Sequence, residues 1–264
     1  MANHIGVIGA GVMGEALIAA LIKSGHTNIS FAEKREDRAA ELVARYSIAH
    51  RDVAEVAKQS DVLLLVVKPQ DMSSTLEFIS ASINPQALVI SFAAGKTIAS
   101  ITAGLKSSNP VVRVMPNTPA LVQEGASGVS FGEGVTDSQK TFVLDFLAST
   151  GKAIEVPESL QDAVTATSGS GPAYFFRFVE AMVEGAVALG LSPEDAHTLT
   201  VQTIVGAATL LRDSGDSPTT LREKVTSPNG TTAAALASFN EADISGVVRN
   251  AMAAAAKRSQ ELAQ

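Results

Sequence analysis

Along the first part of the chain, short apolar runs alternate with longer stretches in which apolar residues recur every three or four positions. The runs at 4–8, 28–32, 61–67, 87–91, 111–115, 127–132 and 152–156 predict strands. The stretches at 13–24, 35–45, 52–58, 71–82, 97–104 and 137–149 predict helices between them. Val62-Leu63-Leu64-Leu65-Val66-Val67 is apolar without a break, as a strand covered on both faces of a parallel sheet should be. Regular alternation of this kind implies βαβ units and an α/β, doubly wound sheet. The last two strands extend that sheet in a direction the pattern does not reveal.

After residue 157 the strand pattern stops. Ser192-Pro193-Glu194-Asp195 supplies an N-cap, a proline at the first helical position and acids in the first turn, and starts a helix that runs to about Arg212. Ser217-Pro218 starts another, and Thr226-Ser227-Pro228-Asn229-Gly230 breaks it. Two alanine-rich helices follow at 231–240 and 244–262. The expected organisation is therefore 1–157 as the sheet domain and 158–264 as an all-helical domain. A helical tail rich in small residues makes a thin core by itself, so it is expected to pack on a second subunit.

Residues 4–14 join the first strand to the first helix through G-x-G-x-x-G at Gly9, Gly11 and Gly14, and Glu33 closes the next strand. The glycines allow a tight turn, close approach of phosphates and close helix–strand packing, while the helix N-terminus offers free N–H groups. A Rossmann-like dinucleotide site follows from these positions. Glu33 suits the ribose hydroxyls of NAD, whereas Lys34 and Arg35 suit the 2′-phosphate of NADP. The expectation leans to NADP, with NAD as the alternative.

Other strand ends point to the same edge of the sheet. They are Val67-Lys68-Pro69-Gln70, Ala93-Ala94-Gly95 and Arg113-Val114-Met115-Pro116-Asn117-Thr118-Pro119. Lys68 can reach a phosphate or pair with a carboxylate, the small residues Ala93 and Ala94 leave room for a nicotinamide ring or pack tightly, and Asn117 can orient a carboxamide or substrate, although such an asparagine more often satisfies its own loop backbone. Ser168-Gly169-Ser170-Gly171-Pro172-Ala173 and Thr226–Thr232 read as two loops before helices, each with hydroxyls and N–H groups for a small anion.

Composition narrows the remaining chemistry. The 264-residue chain has no cysteine, which excludes disulfides, thiolate metal sites and cysteine nucleophiles. A net charge of −7, no tryptophan and two tyrosines argue against a nucleic-acid partner. The most apolar stretch, 173–191, carries Arg177, Glu180 and Glu184, unlike a membrane span. With a core strand at the very start, the expected setting is cytoplasmic. His4, His26, His50 and His197 lie outside every motif and are read as structural or surface residues, and no spacing suggests a metal. Only Lys68 and Tyr174 are available as proton donors, so the substrate is expected to bring its own proton.

Together these motifs resemble the pyrroline-5-carboxylate reductase family. The distinctive ones are Arg113–Pro119, Ser168–Tyr174 and Val225-Thr226-Ser227-Pro228-Asn229-Gly230-Thr231-Thr232. The resemblance implies reduction of 1-pyrroline-5-carboxylate to L-proline by hydride transfer from NAD(P)H to a protonated cyclic imine. It also implies a homodimer or decamer, with the substrate pocket at the dimer interface.

By the same resemblance, Ser227 and Thr232 are the catalytic pair, and Thr232 bonds the ring nitrogen. Ser227, Asn229, Gly230, Thr231 and Thr232 hold the substrate, together with Met115 and Asn117. The cofactor falls to Ile8, Gly9, Ala10, Gly11, Val12 and Met13 on the first turn. It also falls to Glu33, Lys34, Arg35, Val67, Lys68, Pro69, Ala93, Ala94 and Asn117. The chain departs from the family at Asn229-Gly230, where Gly-Gly is usual; asparagine accepts a positive φ better than most residues. Two other readings are a 3-hydroxyacid-dehydrogenase-type reductase and a non-catalytic dinucleotide sensor. The first lacks its expected lysine near Ser168–Pro172, and the second has no use for an intact 226–232 loop.

Overall fold

The computed structural model describes residues 4–263 and divides into two compact units, 1–172 with 254–264 and 173–253. The first unit is built on β1 (Ile5–Ile8), β2 (Ile29–Ala32), β3 (Ala49–His50), β4 (Val62–Leu65), β5 (Leu88–Ser91), β6 (Val111–Met115), β7 (Gly125–Phe131) and β8 (Gly151–Glu155). Their spatial order is β3-β2-β1-β4-β5-β6-β7-β8. The first six run parallel, and β7 pairs antiparallel with β6 and parallel with β8. The doubly wound sheet is thus as expected, and the last two strands point the opposite way.

Helices α1 (Val12–Lys23), α2 (Glu36–Tyr46) and α6 (Asp137–Ala148) cover one face; α3 (Val53–Gln59), α4 (Met72–Ile79) and α5 (Ile98–Leu105) cover the other. The alternation of strand side chains decides which residue meets which layer. Val7, Leu64 and Ile90 join Leu17, Leu21 and Leu42 in one core. Leu63, Leu65 and Val89 join Val56, Leu76 and Ile101 in the other. All four residues of β4 are buried, which explains its unbroken apolar run.

β3 has no counterpart among the predicted strands. It is two residues long and both are exposed, so it leaves no apolar pattern. The expected boundary at 157 marks the end of the sheet, yet the first compact unit continues to Pro172. The reason lies in α7 (Gln161–Val164) and the π-helical turn Thr165–Gly169, which stay on the sheet. Buried Gln161 donates to Gly128 O (3.2 Å) and Ser130 Oγ (2.9 Å) of β7.

The second unit holds most of α8 (Gly171–Ala188), α9 (Pro193–Asp213), α10 (Pro218–Lys224), α11 (Thr231–Glu241) and the first part of α12 (Ile244–Ala263). Ser192 caps α9 by accepting from Asp195 N at 3.1 Å, and Ser217 caps α10 through Thr220 N. Only Ala196 and Thr200 are buried in α9, and nothing is buried in α10 or α11. Phe175, Phe176, Leu199, Val205, Leu210 and Val247 are each more than half exposed. So much exposed apolar surface on one helical unit marks an association face. Among the described residues, no helix is long and apolar enough to cross a membrane.

Candidate functional site

Chain order reverses in space between β1 and β4, and a cavity of about 1090 Å³ opens outside their carboxyl ends. Ligands of open α/β sheets bind at such a switch point. Of the residues expected to hold a cofactor, Ile8, Gly9, Gly11, Val12, Glu33, Lys34, Arg35, Val67 and Lys68 line it. Ala10, Met13 and Pro69 belong to the same turns without lining it.

Gly9 sits at φ +93°, and a Cβ there would lie 2.7 Å from the Val66 carbonyl oxygen. That backbone conformation excludes other residues. A Cβ on Gly14 would run into the Gly9 carbonyl, so the third glycine sets how closely α1 approaches β1. Gly11 is different: a Cβ there meets nothing within 4 Å and would project into open space. No side chain caps α1, so its first-turn N–H groups remain available to an anion. The cradle therefore fits a dinucleotide pyrophosphate.

Glu33 is tied back rather than free to swing. Its carboxylate accepts from Ala10 N (3.0 Å) and Arg35 N (3.1 Å), with Arg35 Nε at 3.7 Å. Lys34 and Arg35 are exposed at the cavity, joined there by His50 and Arg51. His50 is thus no ordinary surface histidine: β3 delivers it to the cavity wall, where its Nε2 lies 3.2 Å from Glu33 O. An isolated histidine in a strand too short to predict gave no signal. Asp71, Thr75 and Phe78 were missed as well, because the turn after Pro69 leads α4 along the cavity.

Behind the cradle, Arg38 ties three elements together. Its Nε donates to Ala10 O (3.3 Å), Nη1 donates to Glu41 Oε2 (2.6 Å), and Nη2 donates to Glu15. Burial raises the Glu15 pKa. Hydrogen bonds from Arg38 and Tyr46 and the charges of Arg38 and Arg45 outweigh it, holding the carboxyl below its ordinary 4.5. A depressed carboxyl stabilises the fold above its unfolded pKa, and that contribution disappears as pH falls through the folded value. Urea melts of the wild type and Glu15→Gln should therefore converge on acidification below that range. A constant gap would contradict the linkage. Arg38→Ala should cost ~1.5–3 kcal/mol at neutral pH, the worth of hydrogen bonds to a charged group, and should also weaken nucleotide binding.

The residues expected around the nicotinamide and substrate lie elsewhere. Ala93 and Ala94 follow β5, while Met115 and Asn117 stand at the end of β6, outside the lining of this cavity. Asn117 is a brace. It is buried, its Nδ2 donates to Ser168 O (3.1 Å), and its Oδ1 accepts from Ala126 N (2.8 Å). A carboxamide bonded at both ends to the backbone holds the loop. Ser168–Ala173 is also not the open loop expected. Ser168 Oγ donates to Val164 O and Ser170 N to Thr165 O, so a π turn leads straight into α8.

The 226–230 segment, on the second unit, is an open loop that leads into the first turn of α11. Asn229 adopts φ +58°, so asparagine does supply the left-handed turn. Gly230 N donates to Ser227 O at 3.0 Å and closes the turn. α11 begins at Thr231 with no side-chain cap, leaving N–H groups beside Ser227 and Thr232 for a carboxylate.

Comparison with known proteins agrees with both halves. Residues 158–262 match the family model described as pyrroline-5-carboxylate reductase dimerisation, and 4–95 match NADP oxidoreductase coenzyme F420-dependent. The chain is 42% identical to pyrroline-5-carboxylate reductase of Methanosarcina acetivorans, over 98% of each chain. It is 41% identical to the Pseudomonas aeruginosa reductase, over 99% of this chain and 97% of the other. Among solved structures, a Coxiella burnetii pyrroline-5-carboxylate reductase superposes with a TM-score of 0.90 at 34% identity, covering 99% and 98% of the two chains. A Plasmodium falciparum pyrroline carboxylate reductase with NADP bound superposes at 0.89 with 30% identity and the same coverage. With a glycine turn that fits a dinucleotide on one unit, a hydroxyl-rich turn before an uncapped helix on the other and relatives matched from end to end, this chain belongs to the pyrroline-5-carboxylate reductase family.

Proposed function

We propose that this protein reduces 1-pyrroline-5-carboxylate to L-proline, with NADPH as its preferred hydride donor, and works as a homodimer. The observation that carries the reading is the presence in one chain of both the Gly9–Gly14 cradle and the uncapped start of α11 beside Ser227 and Thr232. A bound reduced nicotinamide supplies a hydride to the carbon of the C=N bond.

The chain's own residues bind and orient. The first N–H groups of α11 and the Ser227 hydroxyl hold the substrate carboxylate, with Asn229 giving the loop its left-handed turn. The Thr232 hydroxyl accepts from the protonated ring nitrogen. A cyclic imine that arrives protonated needs no strong general acid, which fits the lack of a histidine in these motifs. Correct placement of two reactants is worth up to ~7–11 kcal/mol of barrier. Incubation with substrate and NADPH should yield L-proline; a protein that binds NADPH and forms none would refute the assignment.

The preference for NADPH is supported by three cations, Lys34, Arg35 and Arg51, around a Glu33 whose oxygens are already engaged. Neutralising Lys34 and Arg35 together should lower kcat/KM for NADPH about tenfold more than for NADH, the worth of one charge-assisted bond. Equal losses for both nucleotides would assign these cations a general role. The exposed apolar faces of α8, α9 and α12 support the dimer. Light scattering should give at least twice the 27.2 kDa chain mass, and a monomer would overturn that part of the proposal.

A further inference from the structure

The last turn of α12 lies against the loop between β5 and α5. Gly95 in that loop has φ +74°, and a Cβ there would meet both Leu262 Cβ and Ser259 O at 2.9 Å. Ser259 is 2% exposed, and its hydroxyl donates to Asp162 Oδ1 at 2.6 Å. Asp162 lies 4.0 Å from Arg113 Nη2, and Arg113 Nη1 lies 3.3 Å from Glu158 Oε1. The same Glu158 oxygen accepts from Ile98 N, the first residue of α5, at 2.7 Å.

The loop is thus gripped twice. α12 closes on it at Gly95, and Glu158 holds the start of α5 just beyond it. Arg113, whose side chain is 5% exposed, bridges the two grips. Charge-assisted hydrogen bonds and an ion pair around a buried guanidinium fix geometry closely. β5 and β6 pair through their backbones without these side chains. What the network adds is a hold at Gly95 and Ile98, directly after Ala93 and Ala94 in the chain.

We infer that Ser259 is a positioning residue, and that the carboxyl-terminal turn of α12 sets the height of the nicotinamide loop. The inference rests on the reductase reading for what that loop holds. The last residues of α12 belong to the same compact unit as the loop they touch.

The test compares two ligands on the full-length protein. NADPH spans the whole cofactor, whereas 2′,5′-ADP carries the adenosine 2′-phosphate and no nicotinamide. Ser259→Ala should weaken NADPH binding about tenfold, the scale of one lost buried hydrogen bond, and leave 2′,5′-ADP binding unchanged. Amide hydrogen exchange at residues 93–97 should accelerate in the nucleotide-free protein, and Ser259→Thr should restore both readouts. Gly95→Ala, which presses a methyl on Leu262 Cβ and Ser259 O without touching Asp162, should show the same contrast and serves if Ser259→Ala folds poorly. Parallel loss of both ligands, or no change in NADPH affinity and exchange, would overturn the inference. These readouts do not need turnover, so failure to reduce 1-pyrroline-5-carboxylate would count against the reaction and not against the loop.

Discussion

Gly11→Ala should leave the protein as stable as the wild type and strip it of tight dinucleotide binding. A methyl at Gly11 touches nothing within 4 Å, and its backbone at φ −66° is open to any residue. The fold therefore has no reason to respond. The methyl instead enters the space where the pyrophosphate must meet the first turn of α1. Forcing a methyl into an occupied contact costs ~1–3 kcal/mol, or roughly fivefold to a hundredfold in Kd. Gly9→Ala should behave in the opposite way. There the left-handed backbone costs ~1–3 kcal/mol, and the contact with the Val66 carbonyl adds about as much again. Its thermal transition should fall by many degrees before any nucleotide is added. Thermal melts with nucleotide titration on both variants check the pair. If Gly11→Ala binds normally, the cradle holds something other than a pyrophosphate.

Thr232→Ala should lower kcat while leaving NADPH affinity intact. Thr232 lies in the first turn of α11, on the unit that does not carry the glycine cradle. Its hydroxyl is proposed to orient the protonated ring nitrogen, and a hydrogen bond to a charged group is worth ~1.5–3 kcal/mol. That predicts a drop in turnover of roughly tenfold to a hundredfold. Ser227→Ala should act mainly on the KM for the carboxylate substrate. Steady-state kinetics with each substrate varied in turn separates these outcomes. Unchanged turnover in Thr232→Ala would remove that residue from the reaction.

The sheet was legible in the sequence because burial on both faces writes itself into a strand. Val62–Leu65 can only be an interior strand when helices cover both its sides. The direction of β7 was not legible, since side-chain alternation is the same whichever way a strand runs. The π turn at Thr165–Gly169 reads as a loop because serine and glycine break helical patterns; it continues α7, which Gln161 ties to β7. The cradle was readable because its glycines meet local backbone constraints. What surrounds it was not. Glu33 turns back to Ala10, His50 arrives on a two-residue strand, and Ser259 reaches Asp162 across 97 positions. Asn117 shows the converse, a polar residue in a suggestive motif whose partners turn out to be backbone.

The measurement that bears most directly on the whole account is the rate of NADPH consumption by purified protein with and without 1-pyrroline-5-carboxylate, with L-proline quantified in the same samples. The account predicts that consumption depends on that substrate, that one L-proline forms per NADPH oxidised, and that NADH is used less well. A protein that binds NADPH but oxidises it no faster with 1-pyrroline-5-carboxylate than without it would contradict the assignment.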